Sequence, residues 1–228
     1  MTYLFVVAHP DDEVLGAGGT IYKLSKQGHS VNVCVMSSEV KARAGRPEDN
    51  ELSMDMEKCL AHLGVDKKIE GPFPNIEFNT VPHLKLVQFI EKAIVETKPD
   101  VIVTHHFADT NNDHLHTSMA CQAAVRLFQR RNDVKAPADF MYMEVLSSTE
   151  WNVNTATNKF SPNTFIEIDR DGLERKLEAL AMYRGVMRDY PHPRSKEALE
   201  GLAAYRGAQS GLCYAEAFES VLRRVTFN

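Results

Sequence analysis

The 228-residue sequence has no Cys-x-x-Cys pair, a single tryptophan, no low-complexity tract, no internal repeat and no block of like charge. Each absence closes off a class of protein. The four cysteines, Cys34, Cys59, Cys121 and Cys213, are scattered. Each falls in an apolar or helical stretch and reads as a buried free thiol in a reducing compartment, not as part of a disulfide frame or a thiolate zinc site. Basic residues number 26 against 31 acidic ones, a net charge of −5, so neither a nucleic-acid stripe nor a patch for anionic membrane is expected. No apolar run approaches the roughly 20 residues that a spanning helix needs. Met1 leads at once into a strand-like run, with no basic leader or cleavage site. The expectation is a cytoplasmic protein without membrane insertion, and the length suits one large domain over 1–228.

What the sequence does have is a run of short apolar segments, each followed by a helical pattern. Tyr3-Leu4-Phe5-Val6-Val7-Ala8 carries no helical period and is closed by His9-Pro10, which reads as a buried parallel strand. A helix is expected over 14–27, stopping at Gly28. A second strand is expected over 30–36, a polar loop over 37–50, a helix over 51–63 ending at Gly64, and a short strand over 68–70. The pattern continues with a helix over 81–97, a strand over 100–104 and a helix over 114–129. Alternation of this kind implies βαβ crossovers and a doubly wound, mainly parallel sheet of order 3-2-1-4-5. The last third reads as an α+β extension of the same domain, with strands over 140–145 and 164–168 and helices over 171–183 and 196–204.

The chemistry-bearing residues gather at two expected strand ends. His9-Pro10-Asp11-Asp12-Glu13 follows the first strand, and Asp113-His114 follows the fourth. In the order 3-2-1-4-5 these strands are neighbours whose crossovers leave in opposite directions, so the two clusters face one another across the switch-point crevice. His9, Asp12 and His114 form a His₂Asp set that suits one zinc with an open position for water. Asp11 is left free between two ligands to handle a proton. The plainer alternative is that Asp11 and Asp12 only cap the following helix.

Other residues are open to two readings. His116 is two residues from His114 on one helix and faces elsewhere. Of His105 and His106, adjacent at a strand end, one is expected to be packed and the other to line the pocket, and His106 is taken as the substrate-side candidate. His29, His62 and His83 read as surface or helix-end residues. Asp113 either holds a pocket histidine in its tautomer or caps the helix. Gly16-Ala17-Gly18-Gly19 invites a dinucleotide reading, but G-x-G-x-x-G requires glycine where Ile21 stands, and Asp11 and Asp12 would repel a pyrophosphate.

The segments His9–Glu13, Gly18-Gly19-Thr20, Leu63-Gly64-Val65, Lys98-Pro99-Asp100, Asp113-His114 and Tyr214–Phe218 resemble the PIG-L/LmbE-like family of zinc-dependent N-acetylglucosaminyl deacetylases. The likeness covers most of the chain, and its specific elements are the first and fifth. It implies a Rossmann-like α/β fold and one zinc, or another divalent metal, per chain on His9, Asp12 and His114. It further implies Asp11 as general base and a small N-acetylated amino sugar or its conjugate as substrate. Two departures stand out. Where many members read His-Pro-Asp-His, this chain has Asn111-Asn112-Asp113-His114, and Asn111 can donate a hydrogen bond but carries no proton. The arginine that many members place on the helix after the second strand is missing from 51–56, which leaves Arg43 or Arg46 of the preceding loop to contact substrate. His192, between Pro191 and Pro193, is either an exposed loop residue or the proton donor that Asn111 cannot be. The expected activity is hydrolytic N-deacetylation. The alternatives are a related zinc amidase cutting another C–N bond and a non-catalytic sugar- or nucleotide-binding module. Homo-oligomerisation is compatible with the sequence.

Overall fold

The computed structural model describes residues 1–39, 48–153 and 158–227. Strand β1 (Thr2–Val7) lies inside the sheet because both of its faces are apolar. Leu4 and Val6 pack on one side and Phe5 and Val7 on the other, all fully buried, so the run shows no alternation in sequence. Full burial of such side chains contributes about 1.5–3 kcal/mol each before entropy is counted. Around it lie β2 (Ser30–Val35), β3 (Lys67–Glu70), β4 (Val101–His105), β5 (Asp139–Met143), β6 (Thr164–Glu167) and β7 (Ala215–Arg223). The sheet order is β3-β2-β1-β4-β5-β7-β6. The first five strands are parallel, in the order read from the sequence, and β7 runs antiparallel to both β5 and β6.

Helices cover both faces, as parallel crossovers require. α1 (Asp12–Lys26), α2 (Asp49–Leu63) and α5 (Asp169–Met182) pack on the Phe5 side, and α3 (His83–Thr97) and α4 (Asn112–Ala124) on the Leu4 side. α6 (Lys196–Ser210) packs against β7. α2 opens with a capping box in which Glu48 and Glu51 satisfy each other's backbone amides, and it closes at Gly64 with φ 77°.

The glycine cluster after β1 serves packing. A Cβ on Gly16 would lie 2.5 Å from Met143 Sδ, one on Gly18 2.8 Å from Val14 and 3.2 Å from Lys176, and one on Gly19 2.9 Å from Ile168. This close approach accompanies a kink in α1 at Ala17 (φ −148°, ψ 17°). The backbone groups freed there find partners from two distant elements. Glu216 on β7 accepts from the amides of Gly19 (3.1 Å) and Thr20 (2.7 Å), and Lys176 on α5 donates to the Leu15 carbonyl (2.8 Å). Lys176 and Glu216 complete the arrangement as a buried ion pair at 2.6 Å.

Several boundaries differ from expectation. α4 gives way at Ala124 to a 3-10 turn over Val125–Gln129, and α6 continues past 204 to Ser210. β7 was not expected as a strand at all. Ala215, Glu216, Ala217 and Phe218 are all buried, so a charged residue stands where a half-exposed strand would put its solvent face, for the reason just given. Cys34, Cys59 and Cys121 are buried free thiols, and burial pushes the thiol of each up. Cys213 is a correction: it sits exposed in the turn between α6 and β7. No helix among the described residues is long and apolar enough to cross a membrane.

Candidate active site

The carboxyl ends of β1 and β4 open onto a polar cleft of about 520 Å³. His9, Asp11 and Asp12 line it from the β1–α1 turn, and Asn111 and His114 from the start of α4. Asp11 holds a left-handed backbone (φ 104°) without any side-chain cap to the helix, which sets the capping alternative aside for it. Its amide donates to Glu13 (3.1 Å), whose other oxygen accepts from the buried Tyr183 hydroxyl (2.6 Å). Burial raises the Glu13 carboxyl to about 8, against the opposing Tyr183 hydrogen bond. The strained turn, which an L-residue adopts at a cost of about 1–3 kcal/mol, is thus propped from beneath.

One ligand atom each from His9, Asp12 and His114 falls within 4.8 Å of the others, and all three residues are buried. Asp12 Oδ2 lies 3.3 Å from His9 Nδ1 and 3.2 Å from His114 Nε2, while also accepting from the His9 amide (2.8 Å). The remaining ring nitrogens are held from outside. His9 Nε2 meets Asp113 Oδ2 at 2.8 Å, and His114 Nδ1 meets Asp109 Oδ2 at 3.2 Å. Burial alone would lower both imidazoles. For His9 it is outweighed by hydrogen bonds to Asp113 and Asp12, and for His114 by the charges of Asp12 and Asp109, which raise it to about 10. Burial would raise the Asp12 carboxyl, but His114 and His9 hold it well below the usual range. Asp11, Asp12, Asp109 and Asp113 are all buried beside these rings. So many carboxylates around two imidazoles call for positive charge, and the donor set is chemically right for a divalent metal with carboxylate-held histidines.

The structure separates the residues that the sequence left open. Asp113 is not the cap of α4. Its carboxylate takes His9 Nε2 and the amides of Ile76 (2.5 Å) and Phe78 (3.0 Å), tying the segment after β3 to the cluster. The cap is Asn111, whose side-chain oxygen accepts from the Asp113 amide at 2.9 Å while the residue also lines the cleft. His105 is packed, as expected of one of the pair: its Nε2 accepts from the Ala8 amide (2.8 Å) and its ring stacks on His114 at 3.9 Å. Burial, followed by the His114 charge, lowers it to about 3. His106 corrects the other half of that expectation. It is fully buried against Phe107, Tyr142 and Phe160 and does not line the cleft. His192 does line it, with the Arg194 amide on its Nδ1 at 3.0 Å. His29, His62 and His116 are half-buried, and His83 is exposed. Arg43 and Arg46 lie outside the described residues.

Three contributions escaped the sequence. Asp109 receives Thr149 Oγ1 (2.7 Å), the Asn111 amide (2.8 Å) and the Ser148 hydroxyl, besides His114. Burial would raise its carboxyl, but His114, then His105 and the Ser148 hydroxyl, bring it down to about 2. Its only signal was its place four residues after the β4 strand. Arg194 donates to Ser147 Oγ at 2.7 Å and stands 3.5 Å from Asp11 Oδ2. Arg188 lines the same cleft. No local pattern marks either arginine, because Arg188 lies 177 and Arg194 lies 183 positions after Asp11 in the β1 turn.

Fold and site together define a doubly wound α/β protein with a His–Asp–His cluster at its switch point. The PIG-L family, described as GlcNAc-PI de-N-acetylase, matches residues 4–125, more than half of the sequence. The chain belongs to that family, and it is a deacetylase at that level of description. A 1D-myo-inositol 2-acetamido-2-deoxy-alpha-D-glucopyranoside deacetylase from Mycolicibacterium vanbaalenii is 26% identical over 202 residues, covering 75% of this chain and 68% of the relative. The N,N'-diacetylchitobiose deacetylase from Pyrococcus horikoshii superposes with a TM-score of 0.76 at 21% identity, covering 96% of this chain and 83% of that one. GalB, the 4-carboxy-2-hydroxymuconate hydratase from Pseudomonas putida KT2440, superposes with a TM-score of 0.79 at 21% identity over 100% and 99% of the two chains. The last two likenesses concern the fold alone.

Proposed function

We propose that this protein is a metal-dependent hydrolase that removes the acetyl group from an N-acetylated amino sugar or its conjugate. The observation that carries the reading is the buried His9–Asp12–His114 cluster with Asp11 beside it in one polar cleft. Metal-assisted hydrolysis of a C–N bond calls for a cation site and for a carboxylate that is not itself a ligand, and His9, Asp12 and His114 with Asp11 beside them fit both parts. The deacetylase names of the family and of the Mycolicibacterium relative support the acetamido substrate.

His9 Nδ1, Asp12 Oδ2 and His114 Nε2 are the atoms that would hold the metal, with zinc the fitting ion for two imidazoles and a carboxylate. A divalent metal bound there supplies a polarised carbonyl and water of lowered pKa. Asp11 takes the proton of the attacking water and returns it to the amine nitrogen as the C–N bond breaks, releasing acetate and the free amine. Arg194 is the cation beside Asp11 and donates to the carbonyl oxygen as charge develops, the place left empty by the arginine missing from 51–56. His192 Nδ1 is occupied by the Arg194 amide, so its Nε2–H is the nitrogen left to donate into the cleft. Burial, then Arg194 and Arg188, lower its pKa below the usual value. It therefore works as a neutral hydrogen-bond donor at pH 7 and not as an imidazolium acid. Asp113 and Asp109 orient the two ligand imidazoles. Acetate release from a panel of N-acetylated amino sugars, with chelated and zinc-reloaded protein, tests the reading. Release that is lost on chelation and restored by zinc is expected, and no release from any member would overturn it.

A further inference from the structure

Five non-glycine residues among those described hold a positive φ, and three of them line the cleft: Asp11 (104°), Ile76 (63°) and Ser147 (74°). Left-handed backbone is costly for an L-residue and persists only where its surroundings fix it, so its clustering at one site points to function. Each of the three is fixed in the same way. The Asp11 amide donates to Glu13 (3.1 Å), the Ile76 amide to Asp113 (2.5 Å) and the Ser147 amide to Glu150 (2.6 Å). Proton transfer accounts for Asp11, and Asp113 ties Ile76 to His9. Neither accounts for Ser147.

Ser147 lies in a tight loop after β5. Thr149 closes the loop on Val145, whose amide donates to its hydroxyl (2.8 Å) and whose carbonyl accepts from its amide (2.9 Å). The left-handed step sends two neighbouring hydroxyls to different partners. The Ser148 hydroxyl donates to Asp109, beside His114, while Ser147 Oγ accepts from Arg194 Nε at 2.7 Å. Arg194 needs such an anchor. Its amide donates to His192 Nδ1 (3.0 Å) and its carbonyl accepts from the Arg188 amide (3.3 Å), which holds its backbone only. Beyond Cα an arginine side chain keeps wide rotamer freedom. With Nε bonded to Ser147, the planar guanidinium turns its terminal nitrogens to the reacting centre, and Nη1 stands 3.5 Å from Asp11 Oδ2.

We propose that Ser147 is a positioning residue for the reaction: its Oγ, presented by a left-handed backbone that Glu150 holds, aims the Arg194 guanidinium at the carbonyl oxygen attacked beside Asp11. The proposal rests on the deacetylase reading for the step that Arg194 serves, but not for the Ser147–Arg194 contact itself. A donor that must swing into place at each turnover gives up part of the advantage of preorganisation, so the loss falls on kcat.

Two substitutions that rank oppositely in stability and in rate test it. Ser147→Gly removes the hydroxyl and suits a φ of 74°. Ser147→Thr keeps the hydroxyl but puts a β-branched side chain on a left-handed backbone. The glycine variant is expected to melt within about 4 °C of wild type. It should nevertheless lose roughly tenfold in kcat with KM little changed, a fraction of the roughly 10²–10³ that such a donor carries. The threonine variant should melt below the glycine variant and keep more of kcat, whereas a structural role would rank the two alike in both assays. Ser147→Gly added to Arg194→Ala should cost nothing beyond Arg194→Ala alone. The Arg194 Nε–H proton in the NMR spectrum, assigned by its absence from Arg194→Ala, reads the contact without turnover. Its exchange with water should be slow in wild type and in Ser147→Thr and fast in Ser147→Gly. Wild-type kcat in Ser147→Gly, an additive loss in the double variant, or Nε–H exchange unmoved by Ser147→Gly overturns the proposal. A wild type that releases no acetate from any N-acetylated amino sugar sinks the deacetylase reading instead, and Nε–H exchange then decides the Ser147–Arg194 contact alone.

Discussion

Replacing Lys176 by Met takes a donor away from two buried groups. The Leu15 carbonyl, freed by the kink at Ala17, loses its only donor from α5, and Glu216 keeps its charge at 5% exposure with just the Gly19 and Thr20 amides to offset it. Breaking a buried pair from one side costs on the order of 3–5 kcal/mol, because the remaining charge is uncompensated. In a chain of this size a kcal/mol moves the midpoint by about 2–4 °C, so Lys176→Met should melt roughly 6–20 °C below wild type. Glu216→Gln should be comparably damaging, since it strands the ammonium and weakens the cap on the Thr20 amide. Lys176→Met combined with Glu216→Gln removes both charges and retains one acceptor, so its loss should fall well short of the sum of the singles. Thermal unfolding followed by circular dichroism on the four proteins reads this directly, with acetate release at room temperature as a check that the folded cleft persists. A Lys176→Met midpoint within about 2–4 °C of wild type, a loss near 1 kcal/mol, would mean that the pair does not bear the kink. Strict additivity in the double variant would refute the coupling.

Other expectations concern the site. Asp11→Asn keeps the shape of the turn but removes the base, so turnover should drop on the order of 10²–10⁴ with metal content unchanged; full activity in that variant would remove Asp11 from the proton path. Asp113→Asn weakens the hold on His9 and should lower metal affinity by about 10–100-fold, measured by competition with a chelator, since such outer partners are typically worth that much. His114 carries a pKa raised from 6.5 to about 10 in the metal-free protein. Its contribution to stability is therefore fully present below pH 6.5 and lost as pH rises through about 10, so the metal-free midpoint should fall across that window and His114→Ala should flatten the fall. A metal-free melting curve insensitive to pH between 7 and 10 would contradict the charged pair with Asp12 and Asp109.

Much of this architecture was written locally. A strand buried on both faces must be apolar at every position, which is why Leu4–Val7 and Val101–Val103 announce themselves. A crossover helix must start where its strand stops, so His9–Asp12 and Asp113–His114 could be placed at adjacent strand ends before any coordinates. Sheet order followed from the same rule, and with it the proximity of the three candidate ligands. Residue type and spacing thus determined the parallel core, the His9–Asp12–His114 cluster and the position of Asp11 beside it.

What the tertiary structure decided depends on partners far apart in the chain. Whether Asp113 capped a helix or held a histidine turned on Asn111 taking the cap and on His9, 104 residues away, presenting its Nε2. Which of His105 and His106 faced the cleft turned on the Ala8 amide and on the aromatic cage around His106, and neither did. β7 stayed hidden because Glu216 is spent on the amides of a kinked helix and on Lys176, a use no strand pattern encodes. Arg188 and Arg194 reach the cleft only because α5 packs on α1 and the following segment folds back over the β1 turn. Periodicity is a property of neighbours along the chain, and it reports an element's burial. The direction of a charged side chain is set by whichever distant group leaves it solvated or paired, and that is settled only when the elements meet.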